Sequence, residues 1–91
     1  MTEGRIAYEG SLDIASVSTF TDQVRSAAQE NERVVVDFQR LEFVDSTGVR
    51  GLVMLKQQLA NEGKQLVFEG FGPHIMDIFD ILGIREMIVE A

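Results

Sequence analysis

The sequence predicts an α/β fold, a small and mainly parallel four-stranded sheet alternating with three helices. Three observations carry this. Apolar residues switch repeatedly between strand-like runs and the spacing of amphipathic helices. Val34-Val35-Val36-Asp37-Phe38 is nearly continuous in β-branched and aromatic residues, the pattern of a strand buried on both faces of a parallel sheet. Gly and Pro separate the segments cleanly, and alternation of strand and helix at this spacing implies right-handed parallel crossovers.

In chain order, Arg5–Glu9 reads as a short first strand with Ile6 and Tyr8 on one face, followed by a Gly10-Ser11-Leu12-Asp13 turn. Val17, Phe20, Val24, Ala27 and Ala28 recur at helical spacing, with Ser16 placed to cap that helix and Asn31-Glu32 to end it. After the Val-rich strand, Leu41, Phe43 and Val44 are apolar but outside any helical rhythm, which suggests a packed loop. Asp45-Ser46-Thr47-Gly48 opens the second helix, whose inner stripe is Leu52, Leu55 and Leu59 beside Val49 and Val53. Gly63 suits the left-handed position that closes it. Gln65–Glu69 is the next strand. Pro73 fits the first turn of a third helix with Ile75, Ile78, Phe79 and Leu82 as its buried stripe, and Gly83 stops it. Met87-Ile88-Val89 reads as a last strand.

Composition narrows the function. With 91 residues, 45% hydrophobic and 25% charged, the chain suits one domain, residues 1–91, and is too apolar for disorder. Having no cysteine excludes disulfides, thiolate metal sites and cysteine nucleophiles, and the single His74 excludes a multi-histidine metal site. The expectation is no metal and no cofactor. No apolar run approaches the roughly 18 residues that span a bilayer, and no apolar segment follows Met1-Thr2-Glu3-Gly4-Arg5 as a signal peptide requires. The expected setting is a soluble, cytoplasmic one. A net charge of −7 makes nucleic acid and anionic membrane poor partners. The charge is uneven: residues 33–64 are slightly basic, while the segments on either side are acidic. That leaves the middle third either as ordinary solvated surface or as a distinct face for a partner.

The stretch richest in chemistry is Leu41-Glu42-Phe43-Val44-Asp45-Ser46-Thr47-Gly48. It sets a carboxylate and two hydroxyls at a helix N-terminus, where unpaired N–H groups and the helix dipole favour anions. Two explanations fit. Asp45, Ser46 and Thr47 are all residue types that cap helices, and a phosphate on Ser46 would also be received there while adding about −1.5 to −2 of charge to the surface. Catalytic readings fail. Asp-Ser-Thr-Gly interrupts the contiguous Asp-Ser/Thr-Gly of aspartic proteases. A serine nucleophile needs a base, and His74 begins a different helix and reads as a surface residue. No Gly-rich turn ending in Lys-Ser/Thr is present, and Gly70-Phe71-Gly72 is too short for a dinucleotide fingerprint. Met54, Met76 and Met87 fall in apolar patterns and read as core fillers.

Taken together, Val34–Phe38, Leu41 and Phe43-Val44-Asp45-Ser46-Thr47-Gly48 resemble the signature of STAS domains, and more narrowly of bacterial anti-sigma factor antagonists. Gly10-Ser11-Leu12-Asp13 resembles that family's Gly-x-Leu-Asp turn, Gly63-Lys64-Gln65-Leu66-Val67 its turn into the third core strand, and Phe79–Ile84 its late helix and turn, so the likeness spans about residues 6–90. The resemblance implies a STAS-like domain that is a switch and not an enzyme. Ser46 would be the phospho-acceptor, with Thr47 as second candidate. The unphosphorylated form would bind an anti-sigma factor with serine kinase activity and so free a sigma factor, and a PP2C-type phosphatase would reset it. The partner surface would comprise Asp45, Ser46, Thr47, Gly48, Val49 and Arg50 with Ser11 and Asp13 from the preceding turn. Gly48 would let the partner approach closely. The position of Arg50 is often small in that family. The alternative within the same resemblance is a non-switching STAS subunit of a larger complex, a lipid-transport ATPase or a stress-signalling assembly.

Overall fold

The computed structural model describes residues 2–89, and its elements run β1 (Glu3–Leu12), α1 (Val17–Glu30), β2 (Arg33–Val44), α2 (Ser46–Asn61), β3 (Gln65–Glu69), α3 (Pro73–Leu82) and α4 (Arg85–Ile88). The strands form one parallel sheet in the order β1-β2-β3. When consecutive strands are neighbours and every crossover has the same hand, the crossing helices fall on the same side of the sheet. The core shows this. Val34, Val36 and Phe38 of β2 with Leu66 and Phe68 of β3 meet Phe20 and Val24 of α1, Leu52, Leu55 and Leu59 of α2, and Ile75 and Phe79 of α3. Ile6 and Tyr8 of β1 pack against this cluster from its margin, sharing one face as their spacing implied.

The other face of the sheet carries no helix-packed cluster. Val35 is nonetheless only 2% exposed. It lies between Arg5 and Val67 in the strand register, and the Arg5–Glu69 ion pair joins β1 to β3 across β2 above it. Glu3 pairs with both Arg5 and Arg33 along the same face. Charged side chains, whose stems are apolar, thus shield a face that parallel sheets usually cover with helices.

The structure corrects several expectations. Among the described residues the sheet has three strands, because Met87-Ile88-Val89 does not form a fourth: Arg85–Ile88 is the one-turn helix α4, with Ile88 fully buried and Met87 exposed. The described residues accordingly hold four helices instead of three. Leu41–Val44 is not a loop but the end of β2. Two register shifts let β2 run 12 residues beside the 10 of β1, so Leu41 and Val44 turn inward while Phe43 turns out. Gly10, Ser11 and Leu12 belong to β1, and the turn begins at Asp13. Leu82 is exposed, and of the three methionines read as core only Met76 packs against it, Met54 and Met87 being exposed. Ser16 occupies the N-cap position of α1 but makes no capping bond. Gly63 takes the expected left-handed conformation, and Lys64 N–H closes α2 by donating to the Leu59 carbonyl at 2.8 Å.

Candidate functional site

The site is built where β1 and β2 end and α2 begins, at the carboxyl end of the parallel sheet. Leu12 pairs with Val44, and the Asp45 N–H donates to the Leu12 carbonyl at 3.3 Å. That brings the Ser11–Asp13 segment beside the first turn of α2. Asp45 is the N-cap: its carboxylate accepts from the Gly48 N–H at 2.8 Å, and its carbonyl accepts from Val49 N–H at 2.9 Å. Of the three capping candidates in the sequence, Asp45 performs the capping. This leaves Ser46 as the first helical residue, exposed, its hydroxyl without a protein partner among the described residues. Thr47 is half-buried, and Arg50 is exposed one turn further along.

Gly48 and Val49 are buried. A Cβ at position 48 would lie 2.2 Å from the Leu12 carbonyl oxygen and 2.8 Å from Val44 Cγ2. The missing side chain therefore lets α2 seat against the end of β1. Its role in the described structure is internal packing.

The β1–α1 turn has its own polar scaffold. The Ser16 hydroxyl donates to the Ser11 carbonyl at 2.9 Å and accepts from the Asp13 N–H at 3.0 Å, while the Asp13 carboxylate accepts from the Ala15 N–H at 3.0 Å. Tyr8 adds a 2.6 Å bond from its hydroxyl to the same Ser11 carbonyl. Asp13, which the family resemblance assigns to a partner surface, shapes the turn, and Ser11 serves it through its backbone. The Leu12–Asp45 backbone bond joins this turn to the start of α2.

Two residues at this end carry no sequence assignment to the site. Ile14 is 77% exposed at the tip of the turn, and Phe43, register partner of Ser11, is 52% exposed. An isoleucine set between turn residues, away from any periodic stripe, was the available signal for the first. The second was hidden by the register shifts of β2, which decide its facing. His74 has a ring nitrogen 3.4 Å from the Glu42 carbonyl, which places the start of α3 near the end of β2. Among the described residues no group of His, Asp or Glu is arranged to hold a metal ion, and no helix is long and apolar enough to cross a membrane.

This parallel sheet with its helices has the fold of a STAS-type domain. The chain belongs to that family: residues 2–90 match the family model described as "Mlab, STAS domain". It is 28% identical over 84 residues to the Bordetella bronchiseptica protein named "Putative anti-sigma factor antagonist BtrV", covering 91% of this chain and 72% of that one. Its fold is similar to the anti-sigma factor antagonist SpoIIAA in its unphosphorylated form, with TM-score 0.67, 21% identity, and coverage of 88% of this chain and 74% of the other. The phosphorylated form of the Bacillus protein gives TM-score 0.69 at 21% identity, covering 99% and 83%. A sulfate transporter family protein from Wolinella succinogenes superposes with TM-score 0.79 at 13% identity, covering 94% and 70%. At these identities the structural likenesses speak to the fold.

Proposed function

We propose that the chain is an anti-sigma factor antagonist, a single cytoplasmic binding domain without catalysis, whose state is set at Ser46. With Ser46 unmodified it binds an anti-sigma factor that is itself a serine kinase and so releases a sigma factor. Phosphorylation of Ser46 dissolves the complex, and a PP2C-type phosphatase restores it. The observation that carries this reading is the division of labour at the start of α2: Asp45 caps the helix, leaving an exposed Ser46 hydroxyl with no structural duty. The named relative BtrV and the two forms of SpoIIAA support it. A phosphate on Ser46 sits where helix N–H groups and dipole favour an anion. In this reading Thr47 is the second acceptor, and Ser46, Arg50, Ile14 and Phe43 form the contact surface around the edge that Asp45 and Asp13 shape. The test is incubation with ATP and the anti-sigma factor kinases of the source organism. The expected result is one phosphate on Ser46 by peptide mass spectrometry and loss of co-elution with the kinase. A chain that neither binds nor is modified overturns the reading.

A second reading is a non-switching STAS subunit of a larger assembly such as a lipid-transport ATPase; membership of the STAS family and the fold shared with a transporter-family chain are compatible with it. Under it, Ser46 stays unmodified in cells while the chain co-purifies with an ATPase at constant stoichiometry.

A further inference from the structure

Among the described residues no strand pairs with the outer edge of β1 or of β3, but the two edges differ. β3 is 5 residues long, a length that offers little to a pairing chain, whereas β1 is 10 residues long and holds neither proline nor lysine. Beside β1 runs an open groove of about 700 Å³, lined by Arg5 and Ile6 of the strand and by residues of α1 that include Asp22, Gln23, Ala27 and Glu30. The register shifts against β2 place their extra residues on β2, so β1 advances regularly from Glu3 to Glu9.

The charges on this edge are self-complementary. Arg5, Ala7 and Glu9 point to the outer face, while Ile6 and Tyr8 point to the core. In an antiparallel pair of β1 strands centred on Ala7, Arg5 stands opposite Glu9 twice over, Ile6 opposite Tyr8 twice over, and the small Ala7 opposite itself. A centre on Ile6 sets Glu3 against Glu9, and a centre on Tyr8 leaves Arg5 facing Ser11. A centre between two residues places core-facing side chains opposite solvent-facing ones. Edges guarded against association carry charges that repel a second copy. These attract one, in a single register with two-fold symmetry.

We propose that a second copy of this chain occupies the β1 edge, antiparallel and centred on Ala7, joining two sheets into a continuous six-stranded one. The outer face then carries an alternating row, Glu69 and Arg5 of one copy followed by Glu9 and Arg40 of the other, extending pairs already formed within each chain. The net charge of −7 opposes association, but at physiological ionic strength screening acts over about 8 Å, which weakens the overall repulsion more than pairs in contact.

The test is sedimentation equilibrium of the chain over a dilution series, with charge reversals. Arg5→Glu sets glutamate against Glu9 in a self-pair, and Glu9→Arg sets arginine against Arg5. Each variant alone is expected to associate at least about tenfold more weakly than the parent, while an equimolar mixture recovers the parent affinity, because mixed pairs restore both attractions. The affected ion pairs are exposed and contribute little to folding, and circular dichroism checks that both variants fold. Should one not fold, Ala7→Lys replaces it by placing like charges on the two-fold axis, and it is expected to be monomeric. A parent chain that is monomeric throughout, a dimer indifferent to these substitutions, or a mixture no better than its components overturns the proposal.

Discussion

At Gly48 the tolerance of the site for change is set by one interatomic distance. The Leu12 carbonyl oxygen occupies the place where a Cβ would go, and backbone does not yield as a flexible side chain does. Gly48→Ala is therefore expected to destabilise the chain by about 1–3 kcal/mol or more, as overpacking typically does. Asp45→Ala removes the cap and is expected to cost about 1 kcal/mol. Ser46→Ala removes an exposed hydroxyl that has no partner among the described residues and should stay within about 0.5 kcal/mol of the parent. Urea unfolding of the three variants checks the ranking; a loss at Ser46→Ala equal to that at Asp45→Ala would place the cap on the wrong residue. The sequence marked this cluster but not its internal roles. Asp, Ser and Thr are all cap formers, so only the position of the first helical residue decides which of them caps and which is left free.

Among the elements, β2 organises the molecule. Phe38 is fully buried and its ring lies 4.8 to 5.9 Å from those of Tyr8, Phe20, Phe68 and Phe71, linking β1, α1, β3 and the segment before α3. Phe38→Ala is expected to cost about 3–5 kcal/mol, a large share of the 5–15 kcal/mol typical of whole domains, and a thermal melt would show it as a broad or absent transition. The amides of residues 34–37, paired on both sides, should be among the slowest to exchange with deuterated water. This strand was legible because burial on both faces leaves a continuous apolar run. Its last residues were not, because the register shifts break the alternation that marks a strand, so Leu41 and Val44 face in across a spacing of three. The chain's end misled for a related reason. Three apolar residues suit a strand or a helical turn equally, and Ile88 is buried in the core with Val89 packed against it, while Met87 is exposed.

For the molecule as a whole, consecutive strand order separates the core from the proposed recognition site. With the helices packed on one side, the core lies beneath α1, α2 and α3, and the exposed Ser46 and Arg50 stand at the sheet's carboxyl end, outside it. A change in charge at Ser46 should then alter what the molecule binds without altering whether it folds. The local effect of a phosphate there is mildly favourable, about 0.3–1 kcal/mol from the dipole of α2. In a complex the same group, carrying roughly −1.5 to −2, must be desolvated beside Asp45 against a closely packed partner. A penalty of ~3 kcal/mol already lowers affinity more than a hundredfold. Phosphorylated chain should therefore melt at or slightly above the temperature of the parent while losing its anti-sigma factor. Ser46→Ala should bind as the parent does. Ser46→Asp should bind more weakly than Ser46→Ala but less weakly than the phosphorylated form, since one charge stands in for nearly two. Arg50→Glu, exposed on the next turn of α2, should weaken binding to an acidic partner and leave the melt unchanged. Calorimetric titration of these forms into the anti-sigma factor, run beside their thermal melts, measures both quantities. Equal binding by Ser46→Asp and parent, with phosphate found on Thr47, would move the switch to the second hydroxyl. A parallel loss of stability and affinity on phosphorylation would show that the switch acts through the fold.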